Sequence, residues 1–184
     1  MIDAQALETE PWSPEVERRL VAAAQKSPQD FFRLYDRYAR SVFRYLCSRV
    51  GSAEDAEDLT AQTFLEALEA LPRYREKGCF AAWLFSIARR KAADFFRHRS
   101  YIPLEDAETL PGSTDVPGEV ARKDEVERLR GLIAKLSEEE QEWVRLHFTA
   151  GLTFRELSVV IGKSEEATKK AVYRLLDRLQ SQME

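Results

Sequence analysis

Apolar residues return every three or four positions along most of this chain, the spacing that lines one face of an α-helix. The first long stripe is Phe31, Leu34, Tyr35, Tyr38, Val42, Tyr45 and Leu46, with Arg33, Arg37, Arg40 and Arg44 on the other face. Ser27, Pro28 and Asp30 mark its start, because proline fits the first helical turn and an acid there meets the positive end of the helix dipole. Gly51 marks its end, since glycine adopts the left-handed conformation of a helix terminus without strain. Ser52 caps a second helix over about residues 53–71, which buries Ala56, Leu59, Phe64 and Leu68 or near neighbours and stops at Pro72. A loop follows. A third helix runs from about Phe80 to His98, with Trp83, Leu84, Ile87, Ala88 and Phe95 inward.

The pattern resumes near Arg122. Val126, Leu129, Leu132, Ile133 and Leu136 mark one helix. Ser137 with Glu140 forms a capping box for the next, whose apolar residues include Val144 and Phe148 and which ends at Gly151. Thr153 with Glu156 forms a second capping box. Gly162 supplies a tight turn, and Ser164 caps a last helix that buries Val172, Leu175, Leu176 and Leu179. Two helices joined by a short glycine-containing turn make a helix-turn-helix.

Between the halves, residues 101–120 hold three prolines, two glycines, five acids and no base. Such a stretch has little to bury and is expected to be extended or mobile. The predicted fold is therefore all-α, with two small helical domains joined by a flexible acidic linker. The expected divisions are an N-terminal extension at 1–27, a first domain at 28–100, the linker at 101–121 and a second domain at 122–184.

The net charge of −4 argues against a protein that merely coats nucleic acid. Its distribution changes that picture: residues 31–100 carry thirteen bases against nine acids, whereas residues 121–184 carry twelve of each. Cys47 and Cys79 lie far apart with no CxxC partner, so reduced structural thiols are expected. His98 and His147 are isolated, and neither a metal-ligand cluster nor a cofactor motif is evident. No run of about eighteen apolar residues occurs, and the acidic N-terminus lacks a signal pattern. A cytoplasmic protein without membrane insertion is expected.

In a helix-turn-helix the second helix enters the major groove. Its outward positions are Glu165, Glu166, Lys169, Lys170, Tyr173 and Arg174. Lysine and arginine neutralise phosphates, and glutamate accepts from a cytosine amino group. The plain alternative is a hairpin with a solvated charged face.

A second constellation is more specific. Ala56-Glu57-Asp58-Leu59 and Gln62-Thr63-Phe64 are followed by Phe80-Ala81-Ala82-Trp83-Leu84 and Ile87-Ala88-Arg89. This stretch resembles the sigma-two domain of extracytoplasmic-function sigma factors of bacterial RNA polymerase, and the C-terminal unit is similar to their sigma-four domain. The resemblance covers roughly residues 28–100 and 122–182. It implies a subunit that binds core polymerase, recognises and melts promoters, and is controlled by an anti-sigma factor or another signal.

Residue by residue, the resemblance implies that Asp58, Gln62 and Glu66 dock on the clamp coiled coil of the largest polymerase subunit, with the flap as a further contact. Leu59 and Phe64 are expected in the core. The loop with Tyr74, Arg75 and Lys77 is implied to trap a base of the −10 element. Arg89, Arg90, Lys91, Arg97 and Arg99 of the third helix would grip promoter phosphates, with Trp83 and Phe95 in the core. The last helix would read the −35 element, and the linker would thread the basic RNA-exit path. The family pattern is departed from at Thr63, Ala81 and Arg90, and more widely from Ser164 to Ala171, so sequence preference does not transfer from relatives. Competing classes are a sigma mimic that titrates an anti-sigma factor and an ordinary helix-turn-helix regulator. An enzyme fits least, because no nucleophile–base pair stands out.

Overall fold

The computed structural model describes residues 12–75, 79–99 and 120–183. Lys77 and most of the acidic stretch lie outside them. The chain divides between Glu105 and Asp106 into two compact units. Every regular element among the described residues is helical.

The first unit contains α1 (Pro14–Ala24), α2 (Pro28–Val50), α3 (Ala53–Ala70), a 3-10 turn (Leu71–Arg73) and α4 (Phe80–Arg99). The expected boundaries follow from local chemistry. Gly51 ends α2 with φ of 81°, and the Ser52 hydroxyl accepts the Asp55 N–H at 3.2 Å. Leu34, Val42, Tyr45 and Leu46 of α2, Ala56 and Ala67 of α3, and Leu84, Ala88 and Ala92 of α4 are all buried, and these three helices pack on one another. The small side chains on α3 and α4 let helix surfaces interlock closely. Aromatic rings fill the wider gaps: Tyr45 meets Phe85 edge-on at 5.6 Å, and Phe31 meets Phe64 at 6.2 Å.

Helix α1 falls within the segment that the periodicity leaves as an extension before residue 28. It packs on α2 and α4 and buries Val16, Leu20, Val21 and Ala24. Its start carries the same signature as that of α2: Ser13 caps Val16 N–H at 3.2 Å, and Pro14 occupies the first turn. Glu17 is also buried. Its carboxylate accepts the Phe80 N–H at 3.1 Å, at the beginning of α4, and the Tyr38 hydroxyl of α2. A buried carboxylate is tolerated here because it faces a main-chain donor at the positive end of a helix dipole and a phenol hydroxyl.

The second unit contains α5 (Val120–Ala134), α6 (Glu138–Val144), a π-helical turn (Arg145–Thr149), α7 (Phe154–Ile161) and α8 (Glu165–Met183). Both expected capping boxes form, at Ser137–Glu140 and Thr153–Glu156. Leu146, Leu157, Val172, Leu175 and Leu179 make the core. Val126 and Leu129 of the α5 stripe are exposed, as is Tyr35 of the α2 stripe, and the phase of a further stripe differs from expectation. Trp143, Leu146 and Ala150 are buried, Val144 is half-buried and Phe148 is 52% exposed. Residues 143–150 hold two overlapping apolar stripes, and packing against the rest of the unit selects one. The π turn, closed by Ala150 N–H to Arg145 C=O at 2.8 Å, adds a residue to the turn. No helix among the described residues is long and apolar enough to cross a membrane.

Replacing Glu17 by Ala leaves the Phe80 N–H and the Tyr38 hydroxyl without this acceptor. A loss of about 2–4 kcal/mol is expected for unfolding of the first unit, measured by urea denaturation of the full chain. A loss below about 0.5 kcal/mol would contradict the assigned role of that carboxylate.

Candidate nucleic-acid interface

The three groups of charged residues marked in the sequence occupy α3, α4 with the turn before it, and α8. On α3, Asp58 and Gln62 are exposed, while Leu59 and Phe64 are buried in the core. Glu66 stands apart from the first two. Each four-residue step turns the helix face by about 40°, so two steps carry Glu66 well around from Asp58. It meets α4, where it pairs with Arg90 and, at 2.9 Å, with Lys91. The three residues therefore do not form one open acidic face.

The bases of α4 are likewise engaged within the unit. Arg90 and Lys91 hold Glu66, Arg97 pairs with Asp94, and Arg99 lies 3.6 Å from Asp55 and over the Phe95 ring. Arg90 and Arg97 nevertheless stay well exposed, whereas Lys91 and Arg89 are half-buried. Gln62 lines a groove beside these pairs, with Leu59, Lys91, Phe95 and Arg99. The basic end is thus a lattice of partly solvated ion pairs, each of modest worth and screened by salt.

Before α4, Tyr74 is half-buried and Arg75 exposed. The Tyr74 ring lies 4.7 Å from Trp83 and 5.9 Å from Phe80, and Phe80 lies 5.4 Å from Trp83. Trp83 and Phe95, expected inward, are each half-buried.

On α8 all six expected outward residues are exposed. Gly162, with φ of 71°, turns the chain out of α7, and the Ser164 hydroxyl caps Ala167 N–H at 3.2 Å. Glu165 and Glu166 occupy the first turn of α8, where the helix dipole favours acids. Glu166 pairs with Lys170 at 2.6 Å, and the Lys169 ammonium lies 5.9 Å from the centre of the Tyr173 ring. Tyr173 in turn approaches Phe154 of α7 at 5.8 Å. The resulting face mixes cations, an aromatic ring and partly neutralised acids, a set suited to phosphate and base-edge contacts.

The ion pair that fastens α8 to α6 is absent from the expectations. Arg178 donates to Glu140 at 2.6 Å. This hydrogen bond holds the Glu140 carboxyl below its usual range; partial burial opposes it, and the backbone and hydroxyl of Ser137 add to the lowering. Glu140 is recognisable locally as a capping residue, whereas its partner 38 residues later has no local signal.

A family model described as Sigma-70 region 2 matches residues 34–101. The ECF RNA polymerase sigma factor BldN of Streptomyces coelicolor is 38% identical over 170 residues, which is 87% of this chain and 63% of that protein. The ECF RNA polymerase sigma factor SigD of Mycobacterium tuberculosis is 34% identical over 151 residues, 77% of this chain and 71% of that protein. The solved structure of CnrH in complex with the cytosolic domain of CnrY shares the fold, with a TM-score of 0.64 and 24% identity over 89% of this chain and 94% of that one.

Replacing Glu140 by Gln keeps a capping side chain but removes the charge. Because the folded carboxyl titrates below its usual range, its contribution is complete above the ordinary glutamate pKa. It disappears as the pH falls through the lower folded value. The variant is expected to lose at most about 1 kcal/mol at neutral pH, since Arg178 is half exposed, and to match the wild type in strong acid. Parallel stability curves across the acid range, measured by urea denaturation, would remove the ion pair from the account.

Proposed function

The chain belongs to the ECF RNA polymerase sigma factors, and from that membership we propose that it binds core polymerase and directs promoter recognition, strand opening and transcription initiation of a particular regulon. The observation that carries this reading is the α8 face: six side chains of mixed charge, all exposed, presented by the second helix of a helix-turn-helix. In this reading α8 contacts duplex at the −35 element. Lys169, Lys170 and Arg174 meet phosphates, while Glu165 and Glu166 prefer amino-bearing base edges.

The first unit supplies the second hold on DNA. Tyr74, Arg75 and Lys77 engage the −10 element as single strand, and Arg89, Arg90, Lys91, Arg97 and Arg99 contact its backbone. Phosphate competes there with Glu66, Asp94 and Asp55, so binding is salt-sensitive. Asp58 and Gln62, open on α3, meet the clamp coiled coil of the largest subunit, and the second unit meets the flap. Melting draws on binding free energy. The acidic stretch occupies the RNA-exit path, whose basic character suits it. Control falls to an anti-sigma factor or another signal that covers these same surfaces.

The decisive measurement is run-off transcription with core polymerase on a promoter library. A sigma factor yields defined starts that require both core and this chain. A mimic yields none, and a simple regulator binds duplex without core. The double variant Asp58→Lys, Gln62→Lys should bind core at least about tenfold more weakly, because cations then face a basic partner. Its thermal midpoint should stay near that of the wild type, since both positions are exposed. Unchanged core affinity would move the docking surface elsewhere.

A further inference from the structure

Helix α1 precedes the residues matched by the family model, yet one of its polar side chains and that of its C-cap residue reach the two ends of the connection between α3 and α4. At one end, the Gln25 amide donates to the Tyr74 carbonyl at 2.7 Å and to the Leu71 carbonyl at 3.1 Å. The Leu71 carbonyl also accepts the Tyr74 N–H that closes the 3-10 turn, so both of its lone pairs are used. At the other end, the buried Glu17 carboxylate takes the Phe80 N–H at 3.1 Å. The Tyr38 hydroxyl fastens that carboxylate to α2.

Glu17 stands in the first turns of α1 and Gln25 caps its C-terminal end, eight residues further on and about 12 Å along the helix axis. They act as two fixed pegs on one bar. Gln25 holds the point where the chain leaves α3, and Glu17 holds the point where it enters α4. Tyr74 is placed by one peg, and Phe80, against which the Tyr74 ring packs, is placed by the other.

We infer that Glu17 and Gln25 are positioning residues for promoter reading, which set the spacing and direction of the two ends of the α3–α4 connection and thereby the base preference at the −10 element. This inference rests on the reading of the connection as the −10 contact. Neither side chain touches DNA; each acts through main-chain atoms of Leu71, Tyr74 and Phe80.

The test uses the full chain with core polymerase and two variants. Gln25→Met keeps the length and bulk of the side chain but removes both hydrogen bonds. Glu17→Gln keeps an acceptor for Phe80 N–H but removes the charge. Initiation is measured on a set of promoters that vary base by base in the −10 element, and on a second set that varies in the −35 element. The readout is the ratio between preferred and non-preferred promoters. A variant that is merely less well folded lowers every promoter equally and leaves that ratio unchanged. The −10 ratio is expected to fall about three- to tenfold for Gln25→Met, the equivalent of about one net hydrogen bond of the two removed, and less for Glu17→Gln. The −35 ratio and core affinity should hold. An unchanged −10 ratio in Gln25→Met, or −10 and −35 ratios that fall together, would overturn the inference while leaving the sigma-factor reading intact. A wild-type chain that initiates nowhere with core polymerase would sink that reading, and this inference with it.

Discussion

A buried carboxylate on α1 ties together three helices of the first unit. Glu17 reaches from α1 to the Phe80 N–H and to the Tyr38 hydroxyl, so three helices meet at one charged group. Placing a charge inside a helical bundle costs free energy unless donors converge on it. Here they do: a main-chain donor at a helix N-terminus and a phenol supply directed contacts. The apolar face of α1 adds Leu20 and Val21 to the core around it. The first residue of α4 is thereby tied to α1 and α2, while the rest of the helix is held by its buried face against α3 and α2.

Charge within the unit is organised as competition. Acids of α3 and bases of α4 already satisfy one another through Glu66, Asp55 and their partners. Partly exposed pairs of this kind are weak, so an incoming phosphate or a basic protein surface can replace one partner at small cost. The second unit repeats the logic at its α8 face, where Lys170 holds Glu166 while Lys169 lies beside Tyr173.

Much of the architecture was legible in the chain itself. Helix starts at Ser27, Ser52, Ser137, Thr153 and Ser164, and stops at Gly51 and Gly162, depend on chemistry within a few residues, which is why local patterns reveal them. The outward face of α8 was equally readable, since periodicity assigns Val172, Leu175, Leu176 and Leu179 to the inner face, of which all but the half-buried Leu176 are buried. Helix α1 offered the same signals in Ser13, Pro14 and the run Val16, Leu20, Val21, Ala24. Its role, however, lies in contacts that no local pattern encodes.

What the amino-acid order determined alone was therefore the helices after residue 27, their caps and the family to which the chain belongs. Tertiary structure decided the rest: that Glu66 turns to Arg90 and Lys91 and leaves Asp58 and Gln62 open, that Trp143 and Leu146 are buried in preference to Val144 and Phe148, and that Glu17 and Gln25 reach main-chain atoms 63, 46 and 49 residues away. The physical reason is range. A cap or a stripe is settled by neighbours within a turn or two, whereas an ion pair or a buried hydrogen bond depends on which distant group the packed helices bring within about 3 Å.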